Sequence, residues 1–351
     1  MRKGLIAVAA TGLVLLGAAR AGEGSDAAAA PPRQPVPALP APLAAKYMLL
    51  DIAQAGGRAV AVGDHGDIVV SDNGGDWRQV DSPVNVMLNR VYFRDANNGW
   101  AIGHDGVILH SVDGGGSWAL QRWAPGRVAL YDILFLDEQN GLVVGGYGTL
   151  LHTADGGKTW SPLDADIREP GLHFNAVVRL ADGTLFIAGE RGMMARSTDG
   201  GASWNLLDSP YKGSLFGALP WGPHGVLAFG LRGNIYVADD LRSAKAIPVK
   251  GWDEFDRDTT VDPAALAKLG WRHLDNPSQE SLLRGAALPE GALLTGIDGV
   301  LVQVSAKADD VSLPQSSEHE SISGLLRTAA GWQVAGVRGV QLLKLGTGGQ
   351  P

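Results

Sequence analysis

A Gly-x-x-Gly element recurs seven times along the chain and constrains the fold more than any other sequence feature. The spacings between the first glycines of successive copies are 40, 42, 44, 41, 66 and 40 residues. The copies are Gly63/Gly66, Gly103/Gly106, Gly145/Gly148, Gly189/Gly192, Gly230/Gly233, Gly296/Gly299 and Gly336/Gly339. A period of about 40 residues is typical of arrays that repeat one supersecondary unit. The chain therefore contains seven copies of one structural unit.

Short apolar runs on both sides of each Gly-x-x-Gly element predict the strands of that unit. Residues 59–62 precede the first element and residues 68–70 follow it, and two such runs joined by a tight turn indicate a β-hairpin. Two further apolar runs complete each period. Four short strands in about 42 residues are typical of a propeller blade. We therefore predict an all-β protein, a seven-bladed β-propeller of four-stranded blades, over residues 35–346.

A turn rich in Asp and Gly follows the third strand of four blades and ends at a tryptophan. Its side chains can hydrogen-bond to backbone N–H groups within the turn, and the tryptophan buries a large area. The assigned pairs are Asp72 and Trp77, Asp113 and Trp118, Asp155 and Trp160, and Asp199 and Trp204. In blade one, Val70 is assigned to the position that holds Ser or Thr elsewhere. This turn resembles the Asp-box, or bacterial neuraminidase repeat. Because it recurs once per blade, we assign it to packing rather than to catalysis.

The longest interval predicts an insertion in blade five. Trp271 aligns with the tryptophan that opens the fourth strand elsewhere, so the extra residues span 239–270. Within them, Asp262 and Pro263 precede an Ala/Leu-rich run, which predicts a capped short helix. Blade six has lost the Asp-box, with Val311 at the position of the tryptophan.

The last blade has only three apolar runs, and the sequence after residue 34 offers a fourth. A propeller must protect the edge where its ends meet, because an unpaired strand edge promotes aggregation. Prolines near this segment suit an outer edge strand, which can spare N–H donors. We therefore expect an N-terminal strand near Val36 to Leu39 to pair with blade seven and to close the propeller.

The N-terminus has the pattern of a secretory signal peptide over residues 1–21. Arg2 and Lys3 precede an apolar run over residues 4–18, and Ala19-Arg20-Ala21 forms a small-x-small cleavage site. The apolar run is shorter than the roughly 20 residues that a spanning helix needs. An Ala/Pro-rich linker over 22–34 and a tail over 347–351 flank the propeller. We expect a periplasmic or otherwise exported monomer, peripheral to a membrane at most.

Composition excludes several functional classes. The net charge is −8, and cleavage after residue 21 would remove Arg2, Lys3 and Arg20 and no acid, which gives −11. An acidic protein has a poor overall field for nucleic acid, so we expect no nucleic-acid partner. The chain has no Cys and its eight His lack the close spacing of a zinc site. We expect no metal, no cofactor and no catalytic residues.

The Gly-x-x-Gly turns all join the same two strands of a blade, so we expect them on one face of the propeller. Arg191, Arg232 and Arg338 occupy these turns in blades four, five and seven. Asp64, Asp105 and Asp298 occupy them in blades one, two and six. Arginine can hold a carboxylate by two hydrogen bonds. We therefore take these six residues as candidates for binding a protein partner, with Arg191 and Arg232 contacting an acidic protein or tail.

Two stretches of the repeat, residues 98–115 and residues 189–201, resemble the photosystem II stability/assembly factor family. The resemblance extends over roughly residues 45 to 345. It implies a seven-bladed, exported, non-catalytic propeller that assists assembly of a membrane complex and uses an arginine patch. Relatives in non-photosynthetic bacteria occur beside RND-type exporters, so an exporter accessory protein is one alternative. The Asp-boxes leave a second alternative, a sialidase-like glycosidase.

Overall fold

A computed structural model describes residues 33–250, 259–316, 318–329 and 331–345. The predicted signal peptide, residues 22–32 of the predicted linker and the predicted tail fall outside these residues. The same holds for residues 251–258 of the insertion.

From Pro35 onward the described chain forms seven consecutive antiparallel sheets, which are the blades. Blade one comprises β1 Leu49–Ala55, β2 Arg58–Gly63, β3 Ile68–Ser71 and β4 Arg78–Val80. Blade two comprises β5 Leu88–Phe93, β6 Gly99–Gly103, β7 Ile108–Ser111 and β8 Ala119–Arg122. Blade three comprises β9 Leu130–Phe135, β10 Gly141–Gly145, β11 Leu150–Thr153 and β12 Ser161–Pro162. Blade four comprises β13 Phe174–Arg179, β14 Leu185–Gly189, β15 Met194–Ser197 and β16 Asn205–Leu207. Blade five comprises β17 Leu215–Trp221, β18 Gly225–Gly230, β19 Ile235–Ala238 and β21 Arg272–Leu274. Between β19 and β21 the insertion contains β20 Ala246–Ile247 and the helix α1 Pro263–Leu269. Blades six and seven comprise β22 Leu282–Leu288, β23 Gly291–Gly296, β24 Leu301–Ser305, β25 Val311–Ser312; β26 Ile322–Thr328, β27 Gly331–Gly336 and β28 Gly339–Leu343.

The first strand of every blade lies at the centre of the molecule. Each of these inner strands contacts the inner strand of the next blade, from β1 through β5, β9, β13, β17 and β22 to β26, and β26 contacts β1. The ring is therefore closed, and the predicted seven-bladed all-β propeller is confirmed. Among the described helices, none is long and apolar enough to cross a membrane.

The core lies between adjacent blades. Val60 and Val62 of β2 and Val70 of β3 belong to one buried cluster with Val91 of β5 and Leu109 of β7. The two middle strands of a blade are covered on both sides by neighbouring blades, which explains why their runs are continuously apolar instead of alternating. Outer strands such as β4 are only partly buried.

The insertion joins two blades. After β19, the chain forms β20, which pairs with the outer strand of blade four through Leu206 and Ile247, so that blade four has five strands. The helix α1 follows, with the Asp262 carboxylate accepting a hydrogen bond from the Ala265 N–H at 2.8 Å. The predicted short helix is confirmed, and β21 begins directly after Trp271 as expected.

The expected N-terminal strand is wrong. Residues 36–39 lie outside any strand, and blade seven has three strands among the described residues. The Ala38 N–H instead donates to the Ser82 carbonyl of blade one at 3.1 Å. The Ala41 N–H donates to the side chain of Gln79, which in turn donates to the Leu39 carbonyl. Prolines at positions 35, 37, 40 and 42 remove too many N–H donors for a ladder to form.

Packing closes the propeller in place of that strand. The 3-10 turn Ala44–Lys46 lies between blades one and seven, and Ala44 is buried with Leu49, Ala335 and Val340. A Cβ on Gly339 would lie 2.0 Å from the Ala45 carbonyl oxygen, so this contact requires glycine. An isolated bridge between Ser316 and Leu345 covers part of the outer edge of blade seven.

Candidate functional site: the Gly-x-x-Gly face and the axial channel

The Gly-x-x-Gly turns lie on one face because each joins the second and third strands of its blade. The third residue of every turn is a residue other than glycine. In six of the seven turns this residue has a φ of 51–56°: His65, Asp105, Tyr147, Arg191, Arg232 and Asp298. The following glycine also has a positive φ, and at Gly66 a Cβ would lie 2.0 Å from the Val84 carbonyl oxygen. The repeated glycine is thus required by a close backbone approach. This geometry presents one variable residue per blade on the same face.

The predicted basic residues form one pair and one separate position. Arg191 and Arg232 lie on the adjacent blades four and five, and both side chains are exposed. Arg191 Nε lies 3.9 Å from Glu190 Oε1. Burial raises the pKa of Tyr211, and the positive charge of Arg232 opposes that rise. Arg338 is exposed on blade seven, so the turn of blade six, which carries Asp298, separates it from the pair.

Two of the predicted acidic residues are engaged close to their own turns. Asp64 Oδ1 accepts the His65 N–H at 2.8 Å, and its Oδ2 lies 3.3 Å from His65 Nδ1. Asp105 Oδ1 accepts the Gly126 N–H at 3.0 Å. For Asp298 the contact is through the backbone, where its N–H donates to Ser321 Oγ. The acidic positions therefore stabilise the turns and loops of this face.

The Asp-boxes of blades two to four lie at the turns after the third strand, on the opposite face. In blade two, Ser111 Oγ accepts the Gly115 N–H, and Asp113 Oδ1 accepts the Ser117 N–H at 2.9 Å. Asp155 and Asp199 accept the equivalent bonds in the next two blades. Trp118 and Trp204 donate their indole N–H to a box carbonyl, whereas Trp160 packs edge-on against Phe135. These residues serve the turn and the packing between blades.

The box of blade one is shifted by one residue from its expected position. Ser71, not Val70, supplies the hydroxyl, which accepts the Gly74 N–H at 2.9 Å. Asn73, not Asp72, supplies the side-chain oxygen that accepts the N–H groups of Gly75 and Asp76. Asp72 instead pairs with Arg58 at 2.6 Å. The assignment of Asp72 to the Asp-box is therefore wrong. The amide oxygen of Asn73 accepts backbone hydrogen bonds within the turn, as an Asp carboxylate does in blades two to four.

The box carboxylates give the propeller a dependence on pH. Hydrogen bonds from Thr159 lower the pKa of Asp155 to about 2, and those from Ser203 do the same for Asp199. An unfolded Asp titrates near 3.9, so this stabilisation is complete above that pH and is lost as the pH falls toward 2. We expect the melting temperature to fall over that range, and to fall less steeply in Asp155→Asn/Asp199→Asn. Asp164→Asn, at an exposed loop position, is the control. Parallel curves for the double variant and the wild type would refute the assignment.

A bulge near the start of each inner strand creates a ring of seven equivalent positions around the axis. In β1 the register shifts between Leu49 and Asp51, and a shift occurs at the same place in the other inner strands. The residues after the bulge are Asp51, Arg90, Asp132, Ala176, Gly217, Arg284 and Gly324. We call these residues the axial ring. Four of its seven positions are charged.

The charged side chains of the axial ring contact one another. Arg90 Nη1 donates to both oxygens of Asp51 at 3.2 Å, and Arg90 Nε lies 2.9 Å from Asp132 Oδ1. Each carboxylate also accepts a backbone N–H from a neighbouring blade: Asp51 from Val91, and Asp132 from Val177, both at 3.0 Å. The two carboxylates therefore join adjacent inner strands through Arg90 and the backbone.

The two arginines of the axial ring differ in how well their charges are compensated. Burial alone would lower the pKa of Arg90, but the charges of Asp51 and Asp132 outweigh burial and raise this pKa. Burial and the repulsion of Arg90 lower the pKa of Arg284. Within the described residues neither Nε atom has an aligned hydrogen-bond acceptor, but Arg90 Nε lies 2.9 Å from Asp132 Oδ1, whereas Arg284 Nε lies 3.4 Å from Asp51 Oδ1. Arg284 is thus the less compensated cation.

The axial ring separates two cavities on the propeller axis. On the Gly-x-x-Gly face, a cavity of about 390 Å³ is lined by Leu50, Asn89, Tyr131, His173, Asn175, Phe216, Leu283, Arg284 and Ser323. The cavity on the opposite side, of about 240 Å³, is lined by Arg90, Asp132 and Arg284 among others. Arg284 therefore borders both cavities.

Sequence reasoning missed the axial ring. Its charged members appear as polar residues inside apolar runs, as Asp51 does in Leu50-Asp51-Ile52. Aligning the seven first strands with one another would have shown the charges at a shared position. In the described ranges, no group of three or more His, Cys, Asp or Glu residues is arranged to hold a metal ion.

A family model described as photosynthesis system II assembly factor YCF48 matches residues 124–241. The predicted resemblance to that family is thereby confirmed. No curated protein sequence matches the chain.

Solved structures resemble the chain over most of its length. YCF48 bound to a D1 peptide is 17% identical, with 88% of this chain and 96% of that chain covered and a TM-score of 0.60. YCF48 from Cyanidioschyzon merolae is 16% identical, with 87% of this chain and 97% of that chain covered and a TM-score of 0.61. The WD40 propeller domain of Doa1 is 11% identical, with 85% and 92% covered and a TM-score of 0.60. At these identities, the likeness supports the fold alone.

Proposed function

We propose that this chain is a non-catalytic scaffold or assembly factor of an exported compartment, and that it binds a protein subunit of a membrane complex. The observation that carries the proposal is the YCF48 family match over residues 124–241, which includes the turns of Arg191 and Arg232. One similar solved structure is of YCF48 with a D1 peptide. That precedent supports a polypeptide as the ligand of this chain.

The charges of the Gly-x-x-Gly face favour an acidic segment as the contacted part of the partner. Arg191 and Arg232 are exposed on adjacent blades and carry guanidinium groups that suit bidentate contacts to carboxylates. The acids Asp64 and Asp105 make contacts close to their own turns. A partner with an acidic segment therefore meets basic groups over blades four and five.

The test is capture of partners from solubilised host membranes by the wild type and by Arg191→Glu/Arg232→Glu. We expect the wild type to retain a subunit of a membrane complex and the charge-reversed variant to retain at least about tenfold less of it, because repulsion replaces two charge-assisted contacts. The purified subunit should then bind directly, with an affinity that falls as salt is raised.

The matched control reverses two exposed cations elsewhere, in Arg78→Glu/Lys158→Glu. Arg78 begins the outer strand of blade one, and Lys158 lies in the Asp-box turn of blade three. This variant changes the net charge equally and should retain the subunit. Equal loss in both variants would indicate nonspecific electrostatics, and unchanged capture by Arg191→Glu/Arg232→Glu would refute the assigned surface.

A further inference from the structure

The axial cavity on the Gly-x-x-Gly face ends at a cation with an incomplete set of acceptors. Arg284 lies at its floor, and its Nε, like that of Arg90, has no aligned acceptor among the described residues. Arg90 already takes both oxygens of Asp51 and approaches Asp132. Arg284 is left with the distal contact to Asp51 at 3.4 Å. A carboxylate in the cavity would therefore give the guanidinium of Arg284 an acceptor that it does not have to share with Arg90.

The axial ring places no acceptor side chain in the positions next to Arg284 on the side of blades four, five and seven. Its two neighbours in the ring are Gly217 of blade five and Gly324 of blade seven, and Ala176 follows in blade four. No side chain larger than a methyl group projects from these three positions, so no side chain there can accept a hydrogen bond from the guanidinium of Arg284. A Cβ on Gly217 would lie 2.4 Å from the Phe229 ring, and one on Gly324 would lie 2.9 Å from Asp51 Cα. These positions are therefore closely packed and supply no acceptor side chain to Arg284.

The walls of the cavity are fixed and mixed in character. The amides of Asn89 and Asn175 donate to the Leu130 and Leu215 carbonyls of the next blades at 2.8 and 2.9 Å. Ser323 donates in the same way to Leu49 across the seam. Tyr131, His173 and Phe216 also line the cavity and supply aromatic surface. A pre-formed concave site with few polar groups at its floor is the usual form of a ligand site.

We propose that the axial cavity binds a single carboxylate, which forms a charge-assisted contact with Arg284 while its attached chain lies against Tyr131 and Phe216. A volume of about 390 Å³ admits the end of a peptide or one acidic side chain with its neighbours. Guanidinium and carboxylate match in a bidentate geometry. The carboxylate is either a C-terminus or a Glu/Asp side chain. This site adds to the proposed function without resting on it, since Arg191 and Arg232 lie in the turns and not in the axial ring.

Three short peptides serve as probes, with binding measured by isothermal titration calorimetry on the full chain. Acetyl-Gly-Phe-Gly with a free C-terminus offers only a terminal carboxylate, and acetyl-Gly-Phe-Glu-amide offers only a side chain. Acetyl-Gly-Phe-Gln-amide offers neither. We expect at least one of the first two to bind, and the third to bind at least about tenfold more weakly because it lacks the charge. Which acid binds identifies the source of the carboxylate.

Two variants test the position of the site. Arg284→Gln removes the cation and leaves Asp51 paired with Arg90, and it should weaken the acidic peptide at least about tenfold. Leu283→Trp fills the cavity from its half-buried wall and keeps Arg284, so it should block binding without removing the charge. Thermal unfolding confirms that each variant is folded.

Arg191→Glu/Arg232→Glu is the control that separates this site from the proposed partner surface. It should leave the affinity for the small acidic peptide within about twofold, because these exposed side chains are screened by solvent and salt. Absence of binding by both acidic peptides would overturn the proposal. Equal binding of the amide peptide, or equal affinity in Arg284→Gln, would overturn it as well.

Discussion

Trp100→Ala is expected to lower the free energy of unfolding by about 3–5 kcal/mol, the range for large-to-small changes in a packed core. Trp100 has no exposed surface, and its ring stacks on Phe135 at 4.0 Å and on His110 at 4.6 Å between centroids. A Cβ on Gly157 would lie 2.7 Å from Trp100 Nε1, so the Asp-box of blade three closes directly over this ring. The substitution leaves a cavity between blades two and three that the surrounding sheets cannot fill.

Urea denaturation followed by circular dichroism measures this loss. Trp332→Ala is the matched control, because Trp332 is a half-buried tryptophan on β27 with Arg327 over its ring at 5.7 Å. We expect the control to lose less than half as much stability. Similar losses at the two positions would show that neither the full burial nor the stacked packing of Trp100 sets its contribution.

Asp51→Ala is expected to cost about 3–5 kcal/mol, because it removes one partner from a buried ion pair. It deprives Arg90 of both hydrogen bonds and Arg284 of its only carboxylate contact within the described residues. It also removes the acceptor of the Val91 N–H, which joins blades one and two. Asp132 would then be the one carboxylate left in the axial ring beside two guanidinium groups.

The control is Asp72→Ala, in which the lost carboxylate is exposed and pairs with Arg58 at 2.6 Å. An exposed pair of this kind contributes little to stability, because solvent and salt screen it, so this variant should lose far less stability than Asp51→Ala. Asp51→Ala/Arg284→Gln should be less destabilised than the sum of the two single variants, because it removes the uncompensated cation together with the acid. Strict additivity in urea denaturation would argue against coupling between these residues.

The number of blades and the order of their strands follow from local sequence features. Each strand is a short apolar run, and each Gly-x-x-Gly turn includes a glycine that the backbone requires, as at Gly66. The insertion with its capped helix was visible for the same reason, since Asp262 and Pro263 act within one turn of α1. The prediction for the Asp-box of blade one was wrong by one residue, because Asp72 and Asn73 both carry a side-chain oxygen that can accept these hydrogen bonds.

The candidate site was predicted only at its rim. Arg191 and Arg232 could be assigned to one face because the repeat places every turn equivalently. The pairing of β20 with β16, and the packing of Ala44 between blades one and seven, depend on contacts between segments far apart in the chain. No local pattern specifies such contacts.

The sequence by itself determined seven blades, their period and the face that carries the arginines, because hydrophobic periodicity and turn chemistry act over a few residues. Only the tertiary structure decided how the ends meet and what lies on the axis. Asp51, Arg90, Asp132 and Arg284 come from four different blades, and their charges meet because the inner strands converge there. The free energy of such a cluster depends on distances and burial that exist only after the ring has closed.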